Sequence, residues 1–243
     1  MLRAKALATP DGDSIGSEEN LIDEFKVSRP TFRSGAAIVS QEQLLTVRRG
    51  PGGGYFATRP NPNGVSHSAA IYLQSQRTKL EEVLLAIEPI TVEMAILAAE
   101  NKDSEIAADW VSFRETEEQY IDGTDYIAFL RSLRQYGQLL GRSCNNKVLE
   151  LFLSTLYEFC AMVTPDADLY RDRPDRIKAL CNARARIIDA IIEGDKEIAA
   201  VLTRRTTRMN VSWMVEDISR TSRTGPFGEF PFESYLTKGK ESP

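Results

Sequence analysis

Gly50-Pro51-Gly52-Gly53-Gly54 sets four glycines around one proline and admits neither a helix nor a continuous strand. Such a run leaves only a turn or a loop tip. Its flanks are equally restrictive. Leu44 to Arg48 reads as a strand and Tyr55 to Thr58 as its return, so the run closes a hairpin. Two short helical stretches precede it. In the first, Leu21, Ile22 and Phe25 are apolar at helical spacing behind Ser17, a ready N-cap. Lys26 and Val27 leave room for a tight turn. Ser28 is a second N-cap, and Pro30 falls where a first helical turn tolerates proline. Helix, turn, helix and two-stranded wing form a plan for reading duplex DNA. In that plan the second helix enters the major groove by its N-terminal end and the wing lies beside it.

The charges agree with the plan. From Phe25 to Pro60 the basic residues Lys26, Arg29, Arg33, Arg48, Arg49 and Arg59 face Glu42 alone, whereas the whole chain carries a formal net charge of −5. A basic patch on an acidic protein is the local footprint of a polyanion. Arg29 and Arg33, four apart, share one helix face. Thr31 and Arg33 sit near the helix start, where side chains reach phosphates or base edges. A solvated basic surface with a glycine-rich hairpin is the plainer reading of the same residues.

The stretch SEENLIDEFKVSRPTFR, followed by LLTVRRGPGGGYF, resembles the winged-helix domain of the GntR family of bacterial transcription regulators. The resemblance implies that Ser28, Arg29, Thr31 and Arg33 contact DNA. It also implies that Arg49, Gly50 and Gly52 approach the minor groove, with Arg48 beside them on the wing strand. The chain departs from the family pattern at two places. Glu19 stands where the family has an arginine, and Arg33-Ser34-Gly35-Ala36-Ala37 replaces the usual Arg-Glu-Ala-Leu-Arg. Gly35 inside a helix costs about 1 kcal/mol against alanine, so the recognition helix is expected to be weak before DNA binds.

At 243 residues the chain has room for one large or two modest domains. With 42% hydrophobic and 27% charged residues it reads as an ordinary globular protein. A run of about 18 apolar residues, the length of a membrane span, is absent. The opening MLRAKALATPDGDS lacks an apolar signal core. Cys144, Cys160 and Cys181 have no paired spacing, which suits free thiols in a reducing cytoplasm. Residues 1–17 are expected to hold a short helix and a loop. Thr58-Arg59-Pro60-Asn61-Pro62-Asn63-Gly64 is a break in composition. The expected division is 1–58 for the winged helix, 59–65 for a linker, 66–219 for an all-helical domain and 220–243 for an irregular tail. The fold class is mainly α, a winged helix-turn-helix joined to an antiparallel helical bundle.

Helical periodicity dominates from Val65 to Ser219. Leu80, Val83, Leu84, Ile87, Ile90, Met94 and Leu97 form one stripe, and Val148, Leu149, Phe152, Leu153, Leu156 and Phe159 another. Ser104 is the expected cap of the helix through Trp110. Asp122-Gly123-Thr124, Asn145-Asn146, Thr164-Pro165-Asp166 and Gly194-Asp195 are the expected breaks. The tail aromatics Phe227, Phe230, Phe232 and Tyr235 suggest a packed end. A bundle of about 150 residues can bury its own core and keep a pocket.

LEEVLLAIEPITVEMAILAAE, NKVLELFL and RARIIDAIIEGDKEIAAVL resemble, in order, helices of the ligand-sensing (FCD-type) domain of the FadR branch of that family. This resemblance implies a small effector held in the bundle and a homodimer formed through it. Many such members bind a metal through one aspartate and three histidines. Here the aligned positions are Leu133 and Gly137 (or, in a second register, Tyr126 and Leu130), then Arg184 and Thr206. Leucine, glycine and arginine offer no metal ligand, and the chain's one histidine, His67, lies elsewhere. The expectation is a site without metal or cofactor, lined by Arg184, Tyr126, Tyr136 and Thr206, for an organic effector of acidic or acyl-CoA-like character. Arg184 either holds such an anion or pairs with an acid on a neighbouring helix. The tyrosines are equally suited to core packing.

The reading is therefore a cytoplasmic, ligand-responsive repressor that binds a palindromic duplex operator as a dimer. A DNA-binding regulator without a small effector is the alternative. An all-α enzyme is the remote one, because the residues form neither a catalytic triad nor a nucleotide-binding glycine loop.

Overall fold

The structure, a computed structural model, describes residues 1–50, 52–120, 125–164 and 168–221, with side chains through Asp217. The expected turn at Asp122-Gly123-Thr124, most of the break at Thr164-Pro165-Asp166 and the tail aromatics lie outside the described residues. Contacts divide the chain into two units, Met1–Val65 and the remainder from Ser66. Among the described residues no helix is long and apolar enough to cross a membrane.

The first unit runs α1 (Leu2–Ala8), β1 (Ser14–Gly16), α2 (Glu18–Phe25), α3 (Arg29–Gln41), β2 (Leu45–Arg48) and β3 (Gly54–Ala57). Ser17 caps α2 by accepting from the Asn20 amide, and Lys26, at φ 53°, ends it in a left-handed turn. Ser28 caps α3 from the Thr31 amide, with Pro30 in the first turn. The sheet differs from the expected two-stranded wing. It has three antiparallel strands in the order β1-β3-β2. β2 and β3 pair Leu45 with Ala57 and Val47 with Tyr55, while β1 adds Ser14 opposite Phe56. Three residues are too few to show strand periodicity, so β1 exists only through its partner. The core gathers Ala6, Ile15, Leu21, Phe32, Ala36, Val39, Leu44, Leu45, Tyr55 and Ala57. Phe32 and Tyr55 meet edge to face, with ring centroids 5.0 Å apart.

The second unit is helical, and its first helix begins at Pro62, four residues before the boundary at Ser66. Its elements are α4 (Pro62–Ser75), α5 (Leu80–Glu100), α6 (Ser104–Glu117) with a 3₁₀ turn (Glu118–Tyr120), α7 (Tyr126–Ser143), α8 (Lys147–Val163), α9 (Pro174–Glu193) and α10 (Lys196–Thr221). α4 starts at Pro62, inside the stretch expected to be linker; proline suits a first helical turn and does not oppose it. Asp103, not Ser104, caps α6 through its side chain. α5 packs against α7, α8, α9 and α10. Trp110, Phe129, Phe159, Met94, Leu140, Ile187 and Ile188 are fully buried in the resulting core. The apolar face expected of α8 splits. Leu153 and Phe159 are buried, whereas Val148 and Phe152 remain 59% and 54% exposed. Spacing shows which residues share a face, not what covers it. All three cysteines are buried free thiols.

Candidate functional site

The leading end of α3 faces solvent. Ser28, Arg29, Pro30, Thr31 and Arg33 are exposed, while Phe32 and Ala36 on the opposite face anchor the helix in the core. The Ser28 and Thr31 hydroxyls are 2.8 Å apart, so the cap and the first turn are coupled. Arg29 and Arg33 share a partner on α2. Glu18 Oε1 lies 3.2 Å from Arg29 Nε and 3.0 Å from Arg33 Nη2. The hydrogen bond from Arg33 holds the Glu18 carboxyl below the usual carboxylate range, with both arginines' charges adding to it.

The wing stands in the same unit. Arg48 lays its guanidinium over the Phe56 ring, 4.1 Å from the centroid, and Arg49 is exposed. Gly50 and Gly52 sit at φ 96° and 74°, the left-handed region that glycine enters without strain. The Gly53 amide donates to Gly50 O at 2.8 Å and closes the tip. A Cβ on Gly53 would stand 2.4 Å from the Arg48 carbonyl oxygen, so only glycine fits there.

Arg59 does not belong to this surface, although the sequence reading counted it there. Its guanidinium donates to the carbonyls of Ala6, Leu7 and Thr9 at 3.1, 3.1 and 2.6 Å and closes off the end of α1. Glu18 is the acidic neighbour of Arg29 and Arg33 that the sequence did not disclose. It lies seven residues before Phe25, outside the basic stretch that runs from Phe25 to Pro60. The signal was nonetheless present, since Glu18 lies inside the Ser-Glu start of the motif that carries the resemblance.

In the helical unit Arg184 points inward from α9 and is 3% exposed. It forms an ion pair with Glu117 of α6, itself 2% exposed, and donates to Ser132 Oγ of α7 at 2.9 Å. Its guanidinium faces the Tyr136 ring at 5.0 Å and the Phe113 ring at 5.8 Å. Burial pulls the Arg184 guanidinium below its ordinary value, while Glu117 beside it is the counter-ion of its charged form. The expected anion-holding position is thus occupied by an acid of the chain itself. Arg184 and Tyr136 come together, but the other two expected lining residues have different partners. The Tyr126 hydroxyl donates to Asp168 at 2.5 Å, and Thr206 donates to Leu202 O of its own helix at 2.9 Å.

The residues here do not fit a metal. The aligned positions offer a guanidinium and a hydroxyl already engaged. Among the described residues no group of three or more His, Cys, Asp or Glu is placed to hold an ion. His67 Nδ1 instead lies 2.7 Å from Glu158 Oε1, tying α4 to α8.

A family model described as the FCD domain matches residues 80–208, from α5 into α10. No curated protein matches the sequence. Among solved structures, GntR of Streptococcus agalactiae aligns with a TM-score of 0.55 at 15% identity, over 86% of this chain and 98% of that chain. McbR/YncC of E. coli aligns with a TM-score of 0.50 at 13% identity, over 88% of this chain and 92% of that one. At such identities the likeness concerns the fold.

Proposed function

Because this chain belongs to the FCD-domain family of GntR-type transcription regulators, we propose that it is a ligand-responsive repressor that grips a palindromic duplex operator as a homodimer. The observation that carries the DNA half of this reading is the open leading end of α3, where the Arg29 and Arg33 side chains are 56% and 64% exposed. In this reading Ser28, Arg29, Thr31 and Arg33 address the major groove. Arg48, Arg49, Gly50 and Gly52 address the minor groove from the wing. The exposed apolar pair Val148 and Phe152 on α8 supports a dimer contact through the helical domain. A two-fold there would carry two winged helices to successive half-sites.

The effector in this reading is a small organic acid or an acyl-CoA-like molecule, bound without metal. In this reading the anion displaces Glu117 from Arg184 beside Tyr136, and Tyr126 and Thr206, which have other partners within the chain, are the remaining proposed contacts. Binding must favour one arrangement of the helical domain over another, or it shifts nothing. That preference reaches the DNA through residues 59–65 and alters the spacing of the two recognition helices, so the ligand relieves repression.

One observation favours a second reading. Arg184 already has an acidic partner within the chain, which suits a regulator without a small effector that answers to a protein partner or serves an architectural role. The test is selection of a duplex from a random-sequence library, then measurement of its affinity across a panel of carboxylates and acyl-CoAs. Ligand-dependent release supports the first reading. Constant affinity across the panel supports the second. Failure to enrich any duplex overturns both.

A further inference from the structure

The two arginines of α3 do not stand alone on their helix. Beyond the two contacts at Glu18 Oε1, Arg33 Nε donates to Glu18 Oε2 at 3.2 Å. The Tyr55 hydroxyl of β3 donates to the same oxygen at 3.3 Å. One carboxylate on α2 therefore gathers groups from the recognition helix and from the wing. We propose that Glu18 is a positioning residue for sequence reading. It holds the Arg29 and Arg33 guanidinium groups in place to meet base edges, and it withholds about one positive charge from the phosphate backbone. This inference rests on the DNA-binding reading above.

An acid in the first turn of a helix has a plainer use, since it complements the positive end of the helix dipole. Glu19 already supplies that charge in the same turn, with its side chain 82% exposed. Glu18 is 24% exposed and turned toward α3 and β3. An arginine free on its flexible stem would settle on the nearest phosphate, a contact that carries no sequence information. An arginine already oriented loses less freedom on forming a bidentate contact with guanine. A fixed carboxylate beside the pair therefore trades general affinity for discrimination.

The full-length protein provides the test. Fluorescence anisotropy would compare a random-sequence duplex with a duplex enriched by the wild type, each over a series of salt concentrations. For Glu18→Gln, binding to the random duplex should tighten and its log–log salt slope should steepen by about 1, the increment of one added phosphate contact. Preference for the enriched duplex should fall about tenfold, the scale of one misread base contact. Glu18→Asp keeps the charge on a shorter stem, so it should retain the wild-type salt slope yet lose part of the preference. A Glu18→Gln protein with unchanged slope and preference overturns the proposal, whatever its melting temperature. If Glu18→Gln does not fold, Glu18→Asp decides, and an unchanged preference in that variant overturns it as well. If the wild type enriches no duplex, the DNA-binding reading itself has failed, and the role of Glu18 falls with it.

Discussion

At Gly35, midway along α3, a Cβ would meet nothing within 4 Å. Gly35→Ala should therefore stabilise the winged unit by about 0.5–1 kcal/mol, the difference between the two residues in a helix interior. Urea unfolding would measure it, and a loss of stability would show that the glycine serves some closer approach. Arg184 is expected to behave in the opposite way. Arg184→Ala leaves Glu117 buried without its counter-ion and should cost about 3–5 kcal/mol. Replacing both partners by apolar residues of similar volume should recover most of that loss in the same experiment. Glu18 adds a pH dependence. Its folded-state pKa is lowered chiefly by the hydrogen bond from Arg33. Its contribution is thus fully present above the unfolded carboxylate value and is lost as pH falls through the lowered one. The melting-temperature gap between wild type and Glu18→Gln should exist at neutral pH and close in acid. A gap that persists in strong acid would place the contribution elsewhere.

Elements with their own local signals were legible in the sequence. Ser17, Ser28, Asn146 and Gly194 announce their helix ends, and each acts there as a cap in the structure. Asn146 is the most testable of them, because its Oδ1 accepts from both the Val148 and Leu149 amides at the start of α8. Asn146→Ala should cost about 1 kcal/mol on thermal unfolding. A null effect would mean that those amides find other acceptors. What the sequence did not disclose was made by distant partners. β1 is a strand only because β3 lies beside it, and Arg59 is a clamp only because α1 ends within its reach. The α8 stripe was visible as a face, but Val148 and Phe152 lie on the side that the rest of the bundle leaves open. The candidate sites follow the same rule. The arginines of α3 could be named from their spacing, whereas the acids that answer Arg33 and Arg184, Glu18 and Glu117, come from other helices.

For the whole molecule, the reading of α8 as a dimer contact has a direct check. Phe152→Glu would set a charge on that apolar pair while leaving the buried Leu153 and Phe159 untouched. Sedimentation should then show a shift from dimer toward monomer, and operator affinity should fall with it as the second half-site is lost. A protein that stays dimeric would move the contact to another face. In the DNA-binding reading proposed above, Tyr55 bears on the duplex contact. Its ring wedges against Phe32 of α3 while its hydroxyl reaches Glu18, so the wing strand and the recognition helix are braced through one side chain. A surface braced in this way behaves as a stiff die, and the burden of fitting passes to the double helix. Sequences whose minor groove narrows easily where the wing presses should be favoured even at base pairs that no side chain touches.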